Sequence, residues 1–239
     1  MKRKPSNHAW VILPALIALG LVLASTRWFK AKEPDLITIR PRFPHSIFIS
    51  APWDCDLPNF EKMGRGPSIK DFLAPAGTEI ISLNQPVTSS SEPSRGEIKW
   101  VTDDELYCGG EGENAVFFEK LPCWVQIDLG MDRSVDYVWL WHDQGAMQRR
   151  QTPDVFEDVI VQLSNDAEFR SGVVTIFNSD DDGSCGQGKG ADPTYMETNH
   201  GRGFPANGQQ ARYVRIWGGK SYSFSGGPCR FTEVTVWGR

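Results

Sequence analysis

Apolar and polar positions alternate most cleanly from Cys123 to Gly130, CWVQIDLG. Val125, Ile127 and Leu129 fall on one side, and Trp124, Gln126 and Asp128 on the other. Successive side chains of a strand point to opposite faces, so this period of two predicts a strand with one face on a core. Gly130 is expected to end it. A second alternation, Val135 to Trp141, follows at once. Two more close the chain, RYVRIWG at 212–218 and FTEVTVWG at 231–238. The expected strands are 79–83, 123–129, 134–142, 157–164, 172–177, 211–218 and 231–237. Residues 88–93 read as a polar turn, 108–122 as a Gly-rich loop and 178–209 as one long connection. No internal repeat is present.

The first 75 residues follow a different pattern. Lys2, Arg3 and Lys4 precede an apolar run from Ala9 to Ala24 that only Pro14 interrupts. Such a run predicts an N-terminal membrane-targeting helix, residues 1–29. A signal peptide cut after Ala24 would release the rest. An uncleaved anchor would extend through Trp28 and Phe29, with Trp28 at the interface. Arg27, Lys30 and Lys32 just beyond the run favour the anchor. Residues 30–75 are rich in proline, which fixes φ and lacks an N–H, so regular helix is excluded there. They read as a stalk that becomes a partly ordered arm, pinned to the domain by Trp53, Phe60 and Phe72. Residues 76–239 form the domain.

Composition sharpens this picture. The 239 residues include 23 glycines and 16 prolines, which suits many short strands joined by turns. Residues 1–45 carry 8 basic against 2 acidic side chains, and residues 46–239 carry 17 against 28. An acidic body disfavours nucleic acid, because neutralising phosphates needs a basic surface. The five cysteines, at 55, 108, 123, 185 and 229, show no zinc-type spacing. Export would place them where disulfides persist. The favoured pair is Cys108–Cys123, closing the loop before the central strand, with all five reduced as the alternative.

Candidate chemistry is sparse. The domain holds two histidines, His142 and His200. No nucleophile elbow, Walker loop or HExxH occurs. Carboxylates are abundant, but no spacing singles out a glycosidase-like pair. The chain is therefore read as a non-enzyme. Asp180-Asp181-Asp182-Gly183-Ser184 has the look of a calcium loop, but the glutamate due at loop position 12 is missing, so a solvated turn is the better reading. Trp124, Trp139, Trp141, Trp217 and Trp237 all fall within expected strands. They are expected to fill the sandwich or pack under the arm.

The stretches WVQIDLG (124–130), ARYVRIWG (211–218) and FTEVTVWG (231–238), in this order, resemble the discoidin-like domain, also called the coagulation factor V/VIII C-type domain. Further marks are Pro86–Ser90, Gly96–Glu97, Val101–Asp103, Trp141–His142, Asp158–Phe169 and Tyr195–Thr198, which are similar to bacterial secreted or membrane-tethered members. The likeness spans roughly 76–239. It implies an all-β fold, an antiparallel β-sandwich of jelly-roll type (galactose-binding-domain-like). It implies carbohydrate binding on loops at one end of the sandwich. His142, Arg149, Arg150, Tyr222 and Phe224 are the matching candidates for a sugar, through hydrogen bonds and ring stacking. It also implies a structural Ca²⁺ held by Asp103 and Glu233, although Asp104 stands where relatives carry glycine. The expected role is a carbohydrate-binding module displayed outside the cytoplasmic membrane, in the cell envelope, or secreted if cleaved. The alternative is a protein-protein or adhesion module that uses the same loop end toward an envelope or extracellular protein.

Overall fold

The computed structural model describes residues 35–44, 57, 59–61, 72–106, 114–143, 153–219 and 228–239. Two compact units divide the chain, Met1–Asp35 and Leu36–Arg239. The apolar run at 9–24 lies outside the described residues. Among those residues, no helix is long and apolar enough to cross a membrane.

Among the described residues there are twelve strands: β1 Leu36–Thr38, β2 Leu73–Pro75, β3 Glu79–Ile80, β4 Val87–Ser89, β5 Val116–Phe118, β6 Cys123–His142, β7 Asp154–Val155, β8 Ile160–Ser164, β9 Val174–Asn178, β10 Met196–Glu197, β11 Arg202–Gly218 and β12 Cys229–Gly238. The main sheet runs β3-β12-β6-β11-β8-β9, with β4 on β6 and β5 on β12. Every strand pair is antiparallel. The three stretches singled out in the sequence are thus side by side, β12, β6 and β11, at the centre of the sheet.

Gly130 does not end its strand. Both halves of β6 pair with β11, and the register slips between Ala211 and Tyr213. Gly130 takes φ +81 at that irregularity, a left-handed conformation that glycine adopts without a Cβ clash. Arg212 closes the kink, with Nε 2.7 Å and a terminal nitrogen 2.8 Å from the two oxygens of Asp128. On its other edge β6 changes neighbour, from β4 at Val125–Ile127 to β12 beyond Val135. The alternating residues Val125, Ile127 and Leu129 share one fully buried core with Val138, Leu140, Val214, Ile216, Val234 and Val236. Removing such side chains from water contributes about 1.5–3 kcal/mol each.

The connection expected at 178–209 also needs correction. It contains β10 and the first half of β11, where Arg202–Pro205 pairs with Tyr137–Leu140. The stretch RGFPANG looks like a turn because its residues serve local geometry. Asn207 and Gly208 take φ 54 and 78 at the bulge between Pro205 and Gln209. Gly203 lies against the rings of Trp139 and Phe72, where a Cβ would stand 2.7 and 2.8 Å from them.

A second cluster explains why the last residues of β6 are buried on both faces. Tyr137, Trp139 and Trp141 point away from the core and pack with Ile39, Phe72, Ala74 and Leu106, joined by Phe43 and Trp237. Phe72 lies 4.6 Å from Trp139 by ring centroid, and Trp139 stacks on Trp141. The polar tips are satisfied by backbone: Tyr137 Oη donates to Leu73 O at 2.8 Å, and Trp139 Nε1 donates to His200 O at 2.8 Å. Phe60 adds an isolated bridge to Thr194. The described parts of the Pro-rich stretch therefore cover one outer face of the sandwich.

Candidate functional site

His142 closes β6, and β12 opens with Cys229. In sequence these two residues border 144–152 and 220–227, the stretches that carry Arg149, Arg150, Tyr222 and Phe224. Those four candidates lie outside the described residues. What is described is the floor from which both stretches depart.

That floor is ionic and buried. Glu197 of β10 is fully buried, and its Oε1 accepts the His142 backbone N–H at 2.6 Å while Oε2 meets Nδ1 at 2.8 Å. The imidazole stacks on Phe156 at 4.0 Å with an interplanar angle of 9°, and on Phe231 at 5.3 Å. Its Nε2 has no hydrogen bond of good geometry. Burial works against the imidazolium, but the Glu197 carboxylate and the Cys229 sulfur outweigh it and raise His142 to about 9. Next to it, Arg230 donates to Asp154 at 2.9 Å, with both side chains buried. Cys229 is itself buried; burial opposes its thiolate, while Cys123, His142 and Arg230 favour it and bring it to about 6.

His142 was expected to hydrogen-bond a sugar. The structure corrects this, because its side chain is fully buried and already engaged. It acts as a positioning residue that fixes the end of β6. Glu197, Asp154 and Arg230 carry no sequence signal as a set, since their spacing is long and irregular. Only Glu197 falls within a stretch marked by the family resemblance, Tyr195–Thr198.

Glu233 and Asp103, the expected calcium ligands, do lie in one place. Glu233 is buried, and its Oε2 accepts the Asp104 N–H at 3.0 Å. Burial first, and then the nearby Asp103 and Asp104 carboxylates, push Glu233 up to about 9. Asp103 turns one oxygen to the Glu105 N–H at 3.0 Å. Asp104, at φ +65, pairs through Oδ2 with Arg42 at 2.7 Å. Ca²⁺ needs six to eight converging oxygens. Among the described residues, Asp103, Asp104 and Glu233 do not bring three side-chain ligand oxygens within 4.8 Å of one another.

Three other carboxylates, Asp158, Asp180 and Asp182, do have oxygens within 4.8 Å of one another. Asp180 is fully buried rather than solvated, contrary to expectation. Its oxygens accept from the backbone N–H groups of Gly183, Ser184 and Cys185 at 2.7, 3.0 and 2.9 Å, which makes it the clasp of a turn. One member of the expected Cys108–Cys123 staple is described. Cys123 is a free, buried thiol in the core, and Cys108 lies outside the described residues.

On the outer face of β6, β11 and β8, Arg215 is held between Trp124 and Phe169, at 4.2 and 4.0 Å from the ring centroids, and donates through Nε to Gln126 at 2.9 Å. Trp217 Nε1 donates to Gln162 at 2.9 Å. Trp124 and Trp217 thus lie half-buried on this outer face, in neither the core nor the cluster under the described arm, where tryptophans were expected.

No family model matches the chain, and no curated protein matches it in sequence. Solved structures do. A Streptococcus pneumoniae fucose binding module is similar with a TM-score of 0.47 and 15% identity, over 67% of this chain and 98% of that one. The lectin domain of lectinolysin, complexed with Lewis b antigen, gives 0.47 and 18%, over 67% and 97%. Chitosan-binding module 1 from a Paenibacillus chitosanase/glucanase gives 0.41 and 19%, over 67% and 99%. All three scores lie below 0.5, so no ligand and no site residue is carried over from them. The solved structures similar to this chain are carbohydrate-binding modules, discoidin-like β-sandwich domains of the galactose-binding-like type.

Proposed function

We propose that the chain is a non-catalytic carbohydrate-binding module displayed outside the cytoplasmic membrane. The carrying observation is the floor of buried ion pairs, His142–Glu197 and Asp154–Arg230, at the strand ends that border 144–152 and 220–227 in sequence. A shallow lectin site needs loop side chains held on fixed strand ends, since each group that must be ordered on binding weakens affinity. Arg149 and Arg150 would donate to sugar hydroxyls, and Tyr222 or Phe224 would stack on a sugar C–H face. The carboxylates of this floor are buried and paired, so they are not an open acid pair for glycoside hydrolysis. Display outside the membrane is supported by the basic-then-apolar N-terminus. The test is a glycan array probed with the full chain, Phe224→Ala and Arg149→Ala. Saturable binding that both variants lose supports the reading. A folded chain that binds no glycan sinks it and leaves an envelope protein as the ligand.

A further inference from the structure

Three buried thiols, Cys123, Cys185 and Cys229, have no part in the carbohydrate reading. Cys123 opens β6 and is paired in register with Gly218 of β11. Cys229 opens β12, in register with Phe118 of β5. The Cys123 sulfur lies 3.6 Å from Gly218 O. A Cβ built on Gly218 would run into the Cys229 sulfur, with Phe231 only 3.2 Å away. The two thiols thus meet beside Gly218, a position where β11 has no side chain. Both residues are at most 1% exposed.

We propose that Cys123 and Cys229 close into a disulfide that joins the start of β6 to the start of β12. The oxidant is a disulfide of a carrier protein or small molecule. A Cys229 thiolate attacks one sulfur of the carrier's disulfide, the carrier's other sulfur leaves as a thiolate, and a mixed disulfide forms. Cys123, after losing its proton, attacks the Cys229 sulfur of that mixed disulfide and expels the carrier sulfur bound to it. Two protein thiols lose two electrons and two protons, and the carrier disulfide is reduced to two thiols. The folded core leaves no room for a carrier, so exchange takes place before β12 has packed.

In the folded pair, burial opposes the Cys229 thiolate but Cys123, His142 and Arg230 bring the thiol down, whereas Cys123 is pushed up, chiefly by Cys229 and by burial. Cys185 is the nearest competitor. Its thiol approaches Asp158 O at 3.7 Å and is raised by burial and by Asp180 and Asp158. A link across these strand starts closes a loop of about a hundred residues, which in the chain-entropy model stabilises about 1.6 times as much as a loop of ~15 residues.

The full chain is produced in an oxidising compartment, alkylated under denaturing conditions without reductant, and digested. The expected result is a Cys123–Cys229 linked peptide that reductant abolishes, with a melting midpoint that falls after reduction. A second preparation, Cys185→Ser, keeps the same linked peptide. Free, alkylated Cys123 and Cys229 overturn the proposal, as does linkage of either one to Cys55, Cys108 or Cys185. Mapping uses the unmodified chain, so the result stands even if Cys123→Ser or Cys229→Ser does not fold. It is also independent of any glycan binding.

Discussion

Glu197 holds His142 at two points, with one oxygen on its backbone N–H at 2.6 Å and the other on Nδ1 at 2.8 Å. The pair is fully buried, so removing one member leaves an uncompensated charge or an unfilled donor. Glu197→Ala is expected to cost ~3–5 kcal/mol in urea unfolding. Glu197→Gln keeps an acceptor but no charge, and should cost less. Unchanged stability in both variants would show that the contact does not form in solution.

Glu233 sets a pH dependence with a definite sign. Its folded value is about 9, against an ordinary carboxylate value of 4.5. The folded chain therefore keeps a proton that the unfolded chain releases once pH exceeds 4.5. The contribution is fully present below that pH and is lost as pH rises toward 9, so stability falls across this window. Glu233→Gln keeps a hydrogen-bonding group without the titration. It is expected to flatten the profile and to be more stable than the parent by ~1–3 kcal/mol near pH 8. Denaturant midpoints from pH 5 to 9 read this directly, and a parent profile that rises with pH would contradict it.

Calcium bears on the same carboxylates. Arg42 pairs with Asp104 at 2.7 Å, and Asp103, Asp104 and Glu233 do not form a group of three side-chain ligands within 4.8 Å among the described residues. Millimolar Ca²⁺ or a chelator is thus expected to move the melting midpoint by no more than ~1 °C, because an ion that does not bind the native state cannot stabilise it. A calcium-dependent rise of several degrees that Glu233→Gln or Asp103→Asn removes would restore the ion to this site.

Gly203 tests the cover over β6. A Cβ there would meet the rings of Trp139 and Phe72 at 2.7 and 2.8 Å. Gly203→Ala should cost ~1–3 kcal/mol by forcing these rings apart, and should speed proteolysis between residues 44 and 72. Protease resistance equal to the parent's would mean that the aromatic cover does not depend on this close approach.

The central strands were legible because alternation reports a half-buried face. Val125, Ile127 and Leu129 point into the core as their spacing requires. The assignment of tryptophans to packing under the arm holds for Trp139 and Trp141, which lie under the described parts of the Pro-rich stretch. Other features were hidden for physical reasons. Gly130 reads as a strand end, yet a positive φ also serves a bulge inside a continuous strand. Pro205 and Gly208 mask the first half of β11 in the same way. The role of His142 was misread because position at a strand end does not reveal burial. Its partner Glu197 is 55 residues away, and only the three-dimensional pairing brings the two together. The meeting of Cys123 with Cys229 likewise follows from strand register and not from cysteine spacing.

The most direct test of the account is calorimetric titration of the full chain with the glycan that scores highest on the array. Phe224→Ala and Arg149→Ala are titrated alongside, with Asp132→Asn, exposed on β6 near the irregularity at Gly130, as the control. The account predicts saturable binding that each loop variant weakens at least ~10-fold, equivalent to about 1.4 kcal/mol, with the control unchanged. Binding that persists in both loop variants, or that no glycan produces with a folded chain, would contradict it.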